Sequence, residues 1–369
     1  MKKLLVNLIT LVATIFIIFL CCEGALRAKY SYVRNNADSV RSEIRVLRAK
    51  YGPVKNNAGP LGLGIPDNEL GWIPNENLFL YVYDEIFPHK ELNKHGFRAF
   101  GDVRSTKIKV LFVGDSYTQA IHVPREKTYY GMLQKRLPIE VFAFGCSGYG
   151  TLQEYMIIEK YLQIIKPDAI VIQGCANDIV NNSYDLEKRS LYSNNHQRRP
   201  YLTVDNHIEY HNPSSIRETA SKYSAFISFL MHRTDKLMAS FYSIPAEDPL
   251  LQRIKPGDKY YNIYKTGLII TDRLIKKIRS LAPPDVKIYS FCVFNAPPLS
   301  EDFNRILDSN DVVNVRLVSE SLDAAKARGV PIYCEDHGHW SEQGHEIVAI
   351  EIEKAIRKND ALFFTQTQH

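Results

Sequence analysis

From Lys107 onward, short apolar runs alternate with longer segments of helical periodicity. The runs Lys107–Val113, Ile139–Phe144, Ala169–Gln173, Val286–Val293 and Val330–Cys334 are rich in Ile, Val, Leu and Phe. Such runs mark strands buried on both faces, as in a parallel sheet covered by helices. Between them, Lys127–Leu137, Thr151–Ile165 and Val312–Arg328 are helix-compatible. In the second of these, Leu152, Tyr155, Met156, Ile158, Tyr161 and Leu162 fall mainly on one face. Ser341 is placed to cap a last helix running to about Arg357. Strands alternating with helices predict right-handed crossovers and a three-layer α/β/α fold. The expectation is a parallel five-stranded sheet in a flavodoxin-like order.

The rest of the chain patterns differently. An apolar run from Leu4 to Cys22, broken by Asn7, Thr10 and Thr14, is just long enough to span a bilayer. No small-x-small cleavage site follows it, so residues 1–24 read as an uncleaved transmembrane helix, with a cleaved signal as the alternative. Residues 25–64 read as a stem and linker, in which Val40, Ile44, Leu47 and Tyr51 recur at helical spacing before a Gly, Pro and Asn-rich stretch. Residues 65–104 read as a small non-helical module, 105–360 as the main domain and 361–369 as a tail. An insert occupies about 180–285. Within it, Tyr201–Val204 and His207–Tyr210 flank Asp205-Asn206 as a hairpin, Ser221–Met238 reads as an apolar helix, and Tyr260–Leu281 as a second.

Polar motifs follow the first three runs, and a fourth lies near the last. They are Gly114-Asp115-Ser116, then Gly145 with Gly148 and Gly150, then Asn177-Asp178, and finally Asp336-His337-Gly338-His339. In open α/β sheets the ligand crevice lies beyond the carboxyl ends of the strands, so these motifs would meet at one sheet edge. A serine hydroxyl needs an adjacent base, and that base an oriented partner, to attack at neutral pH. Ser116, His339 and Asp336 are the candidates for nucleophile, base and orienting carboxylate. Histidine, with a reference pKa near 6.5, can take and return a proton around neutrality.

Together the four blocks, in this order, resemble those of the SGNH hydrolases, also called GDSL-type esterases. The resemblance spans roughly Lys107–Arg357. Asn93-Lys94-His95-Gly96-Phe97-Arg98 is similar to a segment that precedes the catalytic domain in membrane-associated bacterial members, and Arg199-Pro200-Tyr201 to one in their insert. The resemblance implies an oxyanion hole made by the backbone N–H groups of Ser116 and Gly145 and the side-chain amide of Asn177. There are departures: Gly174 stands one residue further from Asn177 than in the family pattern, Tyr117 replaces a commoner Phe, and Ala120 a commoner Gly.

Some of these positions have rivals. Ser147 lies in a near miss to Gly-x-Ser-x-Gly, with Tyr149 where that elbow needs glycine, and reads as a loop residue. His337 lacks the three-residue spacing from Asp336 that His339 keeps. A zinc site at His337, His339 and His345 lacks any HExxH or paired-cysteine spacing, so no metal and no cofactor is expected.

Composition narrows the rest. Of 369 residues, 45% are hydrophobic and 24% charged, ordinary for a folded core. A net charge of +5 without a basic stripe argues against nucleic acid. The six cysteines spell no disulfide framework and read as free thiols. Lys2 and Lys3 favour a cytoplasmic N-terminus, whereas Arg27, Lys29, Arg34 and Arg41 on the other flank argue the reverse. Long C-terminal domains translocate regardless, and the resemblance favours an external catalytic domain, so a membrane-anchored protein with a periplasmic or extracytoplasmic domain is expected. The expected activity is hydrolysis of an acyl ester, such as O-acetyl, on a cell-surface or exported glycan. The alternatives are an O-acyltransferase using the same triad, and a non-catalytic glycan-binding or assembly protein on the same fold.

Overall fold

The computed structural model of the chain describes residues 10–11, 13–14, 16–28, 64–74, 79–82, 85–88, 96–174, 177–187, 198–212, 224, 226–227, 230, 257, 260–293, 295, 297–334 and 338–359. The chain divides into two compact units, one of residues 57–211 with 244–369 and one of 1–56 with 212–243.

In the larger unit two hairpins come first, β1 (Gly64–Asp67) with β2 (Gly71–Pro74), and β3 (Phe79–Val82) with β4 (Glu85–Pro88). Then follow β5 (Ala99–Phe100), β6 (Ile108–Gly114), β7 (Ile139–Gly145) and β8 (Ala169–Gly174). The hairpin β9 (Arg199–Leu202) and β10 (Ile208–His211) comes next, then β11 (Lys287–Cys292) and β12 (Val313–Asn314). The central sheet has six strands in the order β12-β11-β8-β6-β7-β5. Taken from the far edge, β7, β6, β8, β11 and β12 run parallel in the flavodoxin-like order.

Successive residues of a strand point to opposite faces, and here both faces are covered. Val110 and Phe112 of β6 enter one core with Tyr129 and Leu133, Val318 and Leu322, and Val348 and Ile352. These come from the helices Tyr129–Arg136, Leu317–Ala327 and Glu342–Asn359. Leu111 and Val113 enter the other core with Ile158 and Ile165, Ile275 and Ile278, and Phe303. Those belong to the helices Thr151–Ile165, Tyr261–Leu281 and Leu299–Asp308, the last not among the predicted elements. Each such fully buried side chain contributes about 1.5–3 kcal/mol.

Two expectations need correction. The sheet is mixed, not purely parallel, because β5 pairs antiparallel with β7, Ala99 facing Ala143 and Phe100 facing Phe142. It covers an edge that β7 would otherwise leave open. Nor does Val330–Cys334 supply the fifth parallel strand. Pro331 has no N–H to give a ladder, and the segment bonds instead to its own continuation. Cys334 N–H donates to His339 O (2.8 Å) and Ser341 N–H to Ile332 O (2.9 Å). The place at the edge goes to Val313–Asn314, read in the sequence as part of a helix; Val315 N–H donates to Ser290 O (2.8 Å) beside it.

In the smaller unit the described residues of 10–28 are helical. Glu23 accepts from Ser224 Oγ (2.8 Å) and Phe226 N–H (2.7 Å), and the Phe19 and Phe226 rings meet edge to face. Among the described residues no helix is long and apolar enough to cross a membrane. The first nine residues of the expected span, nearly all of the stem, most of the expected Ser221–Met238 helix and the tail lie outside the described residues.

Candidate active site

β6 ends at Gly114, and the chain turns at once into the short helix Ser116–Gln119. Asp115 caps this turn: its carboxylate accepts from Tyr117 N–H (3.0 Å), and its own N–H donates to Gln173 Oε1 (3.1 Å). Gln173 Oε1 also accepts from Thr118 Oγ1 (3.0 Å), so the ends of β6 and β8 are tied beneath the turn. From Val110 to Ile121 every residue is buried except Ser116, which is half-buried. The serine is thus the one residue of this turn that reaches solvent.

Gly145 ends β7 directly opposite Gly114. A Cβ there would collide with Gln119 N, the Thr118 carbonyl carbon and Asp115 O, all backbone atoms of the serine turn. Only glycine lets that turn seat on the strand end. The loop that follows is held on several sides. Ser147 N–H donates to Gln119 Oε1 (2.9 Å), and Ser147 O accepts from Trp72 Nε1 (3.1 Å). Gly148, at φ +79°, gives its carbonyl to Arg199 Nη2 (2.5 Å). Arg199 also pairs with Glu187 (2.9 Å), donates to Gln153 Oε1 (2.8 Å), and lies over the Trp72 ring. Asn177 is half-buried at the head of the helix Asn177–Asn181, and Asn181 of that helix donates to Tyr149 O (3.4 Å).

His339, half-buried, arrives from the far end of the chain. Tyr117 OH donates to Gly338 O (2.5 Å), and the Tyr117 and His339 rings lie 5.5 Å apart. The His339 ring stacks on His122, centroids 4.3 Å apart and planes within 19°. Asp336 and His337 lie outside the described residues, as do Cys175 and Ala176 just before Asn177. The structure therefore brings Ser116, Gly145 and His339 to one sheet edge and sets Asn177 just beyond the end of β8, while Asp336 is unplaced.

His345 sits deeper. It is 2% exposed, and its Nδ1 accepts from Tyr129 N–H (3.3 Å). Burial, then Arg98, His122 and His339, push its pKa down to about 3, so the ring is neutral. Among the described residues no three His, Cys, Asp or Glu side chains are grouped to hold a metal. Glu154 is fully buried, and among the described residues neither carboxyl oxygen finds a hydrogen-bond partner. Burial, then the Asp178 and Asp115 carboxylates, hold its pKa well above the usual range. A cavity of about 520 Å³ opens elsewhere, between the helices Tyr261–Leu281 and Leu299–Asp308, and none of the candidate residues lines it.

Sequence reasoning missed His122, Gln119 and Glu154. A histidine between Ile121 and Val123, just past the serine motif, was the available signal for the first. Glu154 in a first helical turn looks like an ordinary dipole partner, and its burial leaves no trace in the pattern.

No protein-family model and no curated protein matches this chain. The solved structures it is similar to include lipolytic enzymes and esterases. A member of the lipolytic G-D-S-L family from Veillonella parvula is 11% identical over 68% of this chain and 99% of its own, at a TM-score of 0.38. A lipase/acylhydrolase from Enterococcus faecalis is 15% identical over 68% and 96%, at 0.36. Axe2, an acetyl xylan esterase from Geobacillus stearothermophilus, is 16% identical over 68% and 95%, at 0.36. Identities and scores this low transfer no role to any residue here.

Proposed function

We propose that this chain is a serine acyl-ester hydrolase of the SGNH type. The observation that supports it most is the solitary exposure of Ser116 on a turn seated against Gly145, with His339 tied to the same turn through Tyr117. Ser116 Oγ attacks the ester carbonyl carbon and forms a C–O bond as its proton passes to His339, with Asp336 orienting the imidazole. The oxyanion takes hydrogen bonds from the N–H groups of Ser116 and Gly145 and from the Asn177 amide. As the tetrahedral intermediate collapses, the C–O bond to the alcohol breaks and His339 returns the proton to the leaving oxygen. Water then gives a proton to His339 and attacks the acyl carbon. Collapse of the second tetrahedral intermediate breaks the acyl C–O bond to Ser116, whose Oγ takes the proton back from His339 as the acid leaves.

The substrate reading is an O-acyl group, such as acetyl, on a cell-surface or exported glycan. It rests on the family resemblance and on residues 1–24 acting as a membrane anchor that leaves the catalytic domain outside the cytoplasm. A serine-reactive phosphonate should label Ser116 and abolish turnover of simple esters; labelling that persists in Ser116→Ala refutes the assignment. Release of the intact chain from membranes by carbonate, without detergent, would refute the anchor.

A further inference from the structure

Hydrogen bonds to Gly338 O and His339 O fix the backbone around His339, whereas the orientation of its ring is set by the contacts that the ring itself makes. Proton transfer needs the ring itself held, since a displacement of about 1 Å in a reacting group can cost on the order of 10²-fold in rate. The flat contact with His122 is the one parallel ring stack on His339 among the described residues. His122 is itself fixed from both sides. Ile121 and Val123 are buried, and the Arg98 guanidinium, 4% exposed, collects the carbonyls of Gln119 (3.1 Å), Ala120 (3.2 Å) and Val123 (2.7 Å). Ala120, in the left-handed region at φ 48°, starts the curl that these bonds close. A buried arginine thus moulds a loop in which His122, half-buried between the buried Ile121 and Val123, lies flat on the His339 ring.

We propose that His122 is a positioning residue, holding the plane of the His339 imidazole by stacking against it; the inference rests on the reading of His339 as the base. The contact uses the face of the His122 ring, so any flat ring of similar size serves. The aliphatic side chain of leucine, near in volume, does not.

The test is steady-state turnover of a simple ester by the full chain as wild type, His122→Phe, His122→Leu and His122→Ala, with Ser116→Ala as the blank. Leu and Ala should lower kcat about 10- to 100-fold with KM changed less than about twofold, as expected when only transition-state geometry is lost. Phe should keep kcat within about threefold of wild type. If Ala lowers the melting temperature and confuses the rate, the Phe and Leu pair still decides. Wild-type kcat in Leu overturns the proposal, and so does a loss in Phe as deep as in Leu. A wild-type chain with no Ser116-dependent turnover takes down the hydrolase reading as well, whereas Ser116-dependent turnover indifferent to residue 122 takes down this inference alone.

Discussion

Arg98 and Arg199 are both buried, and each grips a loop of the candidate site, but with different partners. Arg98 spreads over three backbone carbonyls of the loop after Ser116. Arg199 answers a buried carboxylate, Glu187, and an amide, Gln153, and reaches one carbonyl, that of Gly148. The first arrangement shapes a curl, because a rigid fork of donors fixes where several carbonyls must lie. The second joins separate elements: the β9–β10 hairpin, the β1–β2 hairpin through Trp72, and the loop after β7. Within one site, the same residue type sets local geometry on one side and docks an insert on the other.

That contrast is sharpest in stability. Glu187→Leu leaves the Arg199 guanidinium buried without its carboxylate and should cost about 3–5 kcal/mol, read by denaturant unfolding. Adding Arg199→Met should recover most of that loss, since apolar replacement of a whole buried pair is often neutral. Recovery should not extend to ester turnover, because Gly148 has lost its grip. If the double variant is no more stable than the single, the pair is not the docking element.

Arg98→Met should cost less, about 2–3 kcal/mol for lost charge-assisted bonds. Arg98→Lys should not restore kcat, because a point charge cannot hold three carbonyls in a fixed arc. A lysine variant with wild-type kcat would make Arg98 a mere counter-charge.

Both arginines stand in segments quoted from the sequence, yet their work was not legible there. Motif order and strand ends placed Ser116, Gly145 and His339 on one edge, because buried parallel strands announce themselves as apolar runs. What escaped were features set by long-range pairing. The two-residue β5 is too short for any periodicity to show. Val313–Asn314 became a strand only because Tyr289–Ser290 lay alongside. Val330–Cys334 has a strand's composition but lost its ladder to a proline and to its own return at His339–Ser341. The Ser116 turn could be guessed as a turn. Its closure by Gln119, Gln173 and Arg98 depends on which distant side chains arrive beneath it.

The buried groups under the two loops respond to pH in opposite senses. His345 has its pKa lowered to about 3 from 6.5, so below 6.5 the unfolded chain takes the proton first. Its stabilising contribution is complete above that value and declines as pH falls toward about 3. His345→Asn, which can still accept from Tyr129 N–H, should flatten this decline in denaturant melts taken across the window. An unchanged slope would mean that His345 protonates in place.

Glu154 gives the opposite sign. Its folded carboxyl stays protonated above 4.5, the value of the unfolded group, because burial beside Asp178 and Asp115 disfavours a further negative charge. Its contribution is therefore complete below about 4.5 and is lost as pH rises toward the folded value. Glutamine has the same shape and no proton to lose. Glu154→Gln should match wild type in acid and become the more stable protein as pH rises, with ester turnover little changed. If Glu154 were instead ionised and supported the serine turn as a charge, glutamine would be the less stable form at neutral pH. The divergence of the two stability curves as pH rises therefore reports the protonation state of an acid that lies near Asp115 and Asp178, beyond the β6 and β8 strand ends.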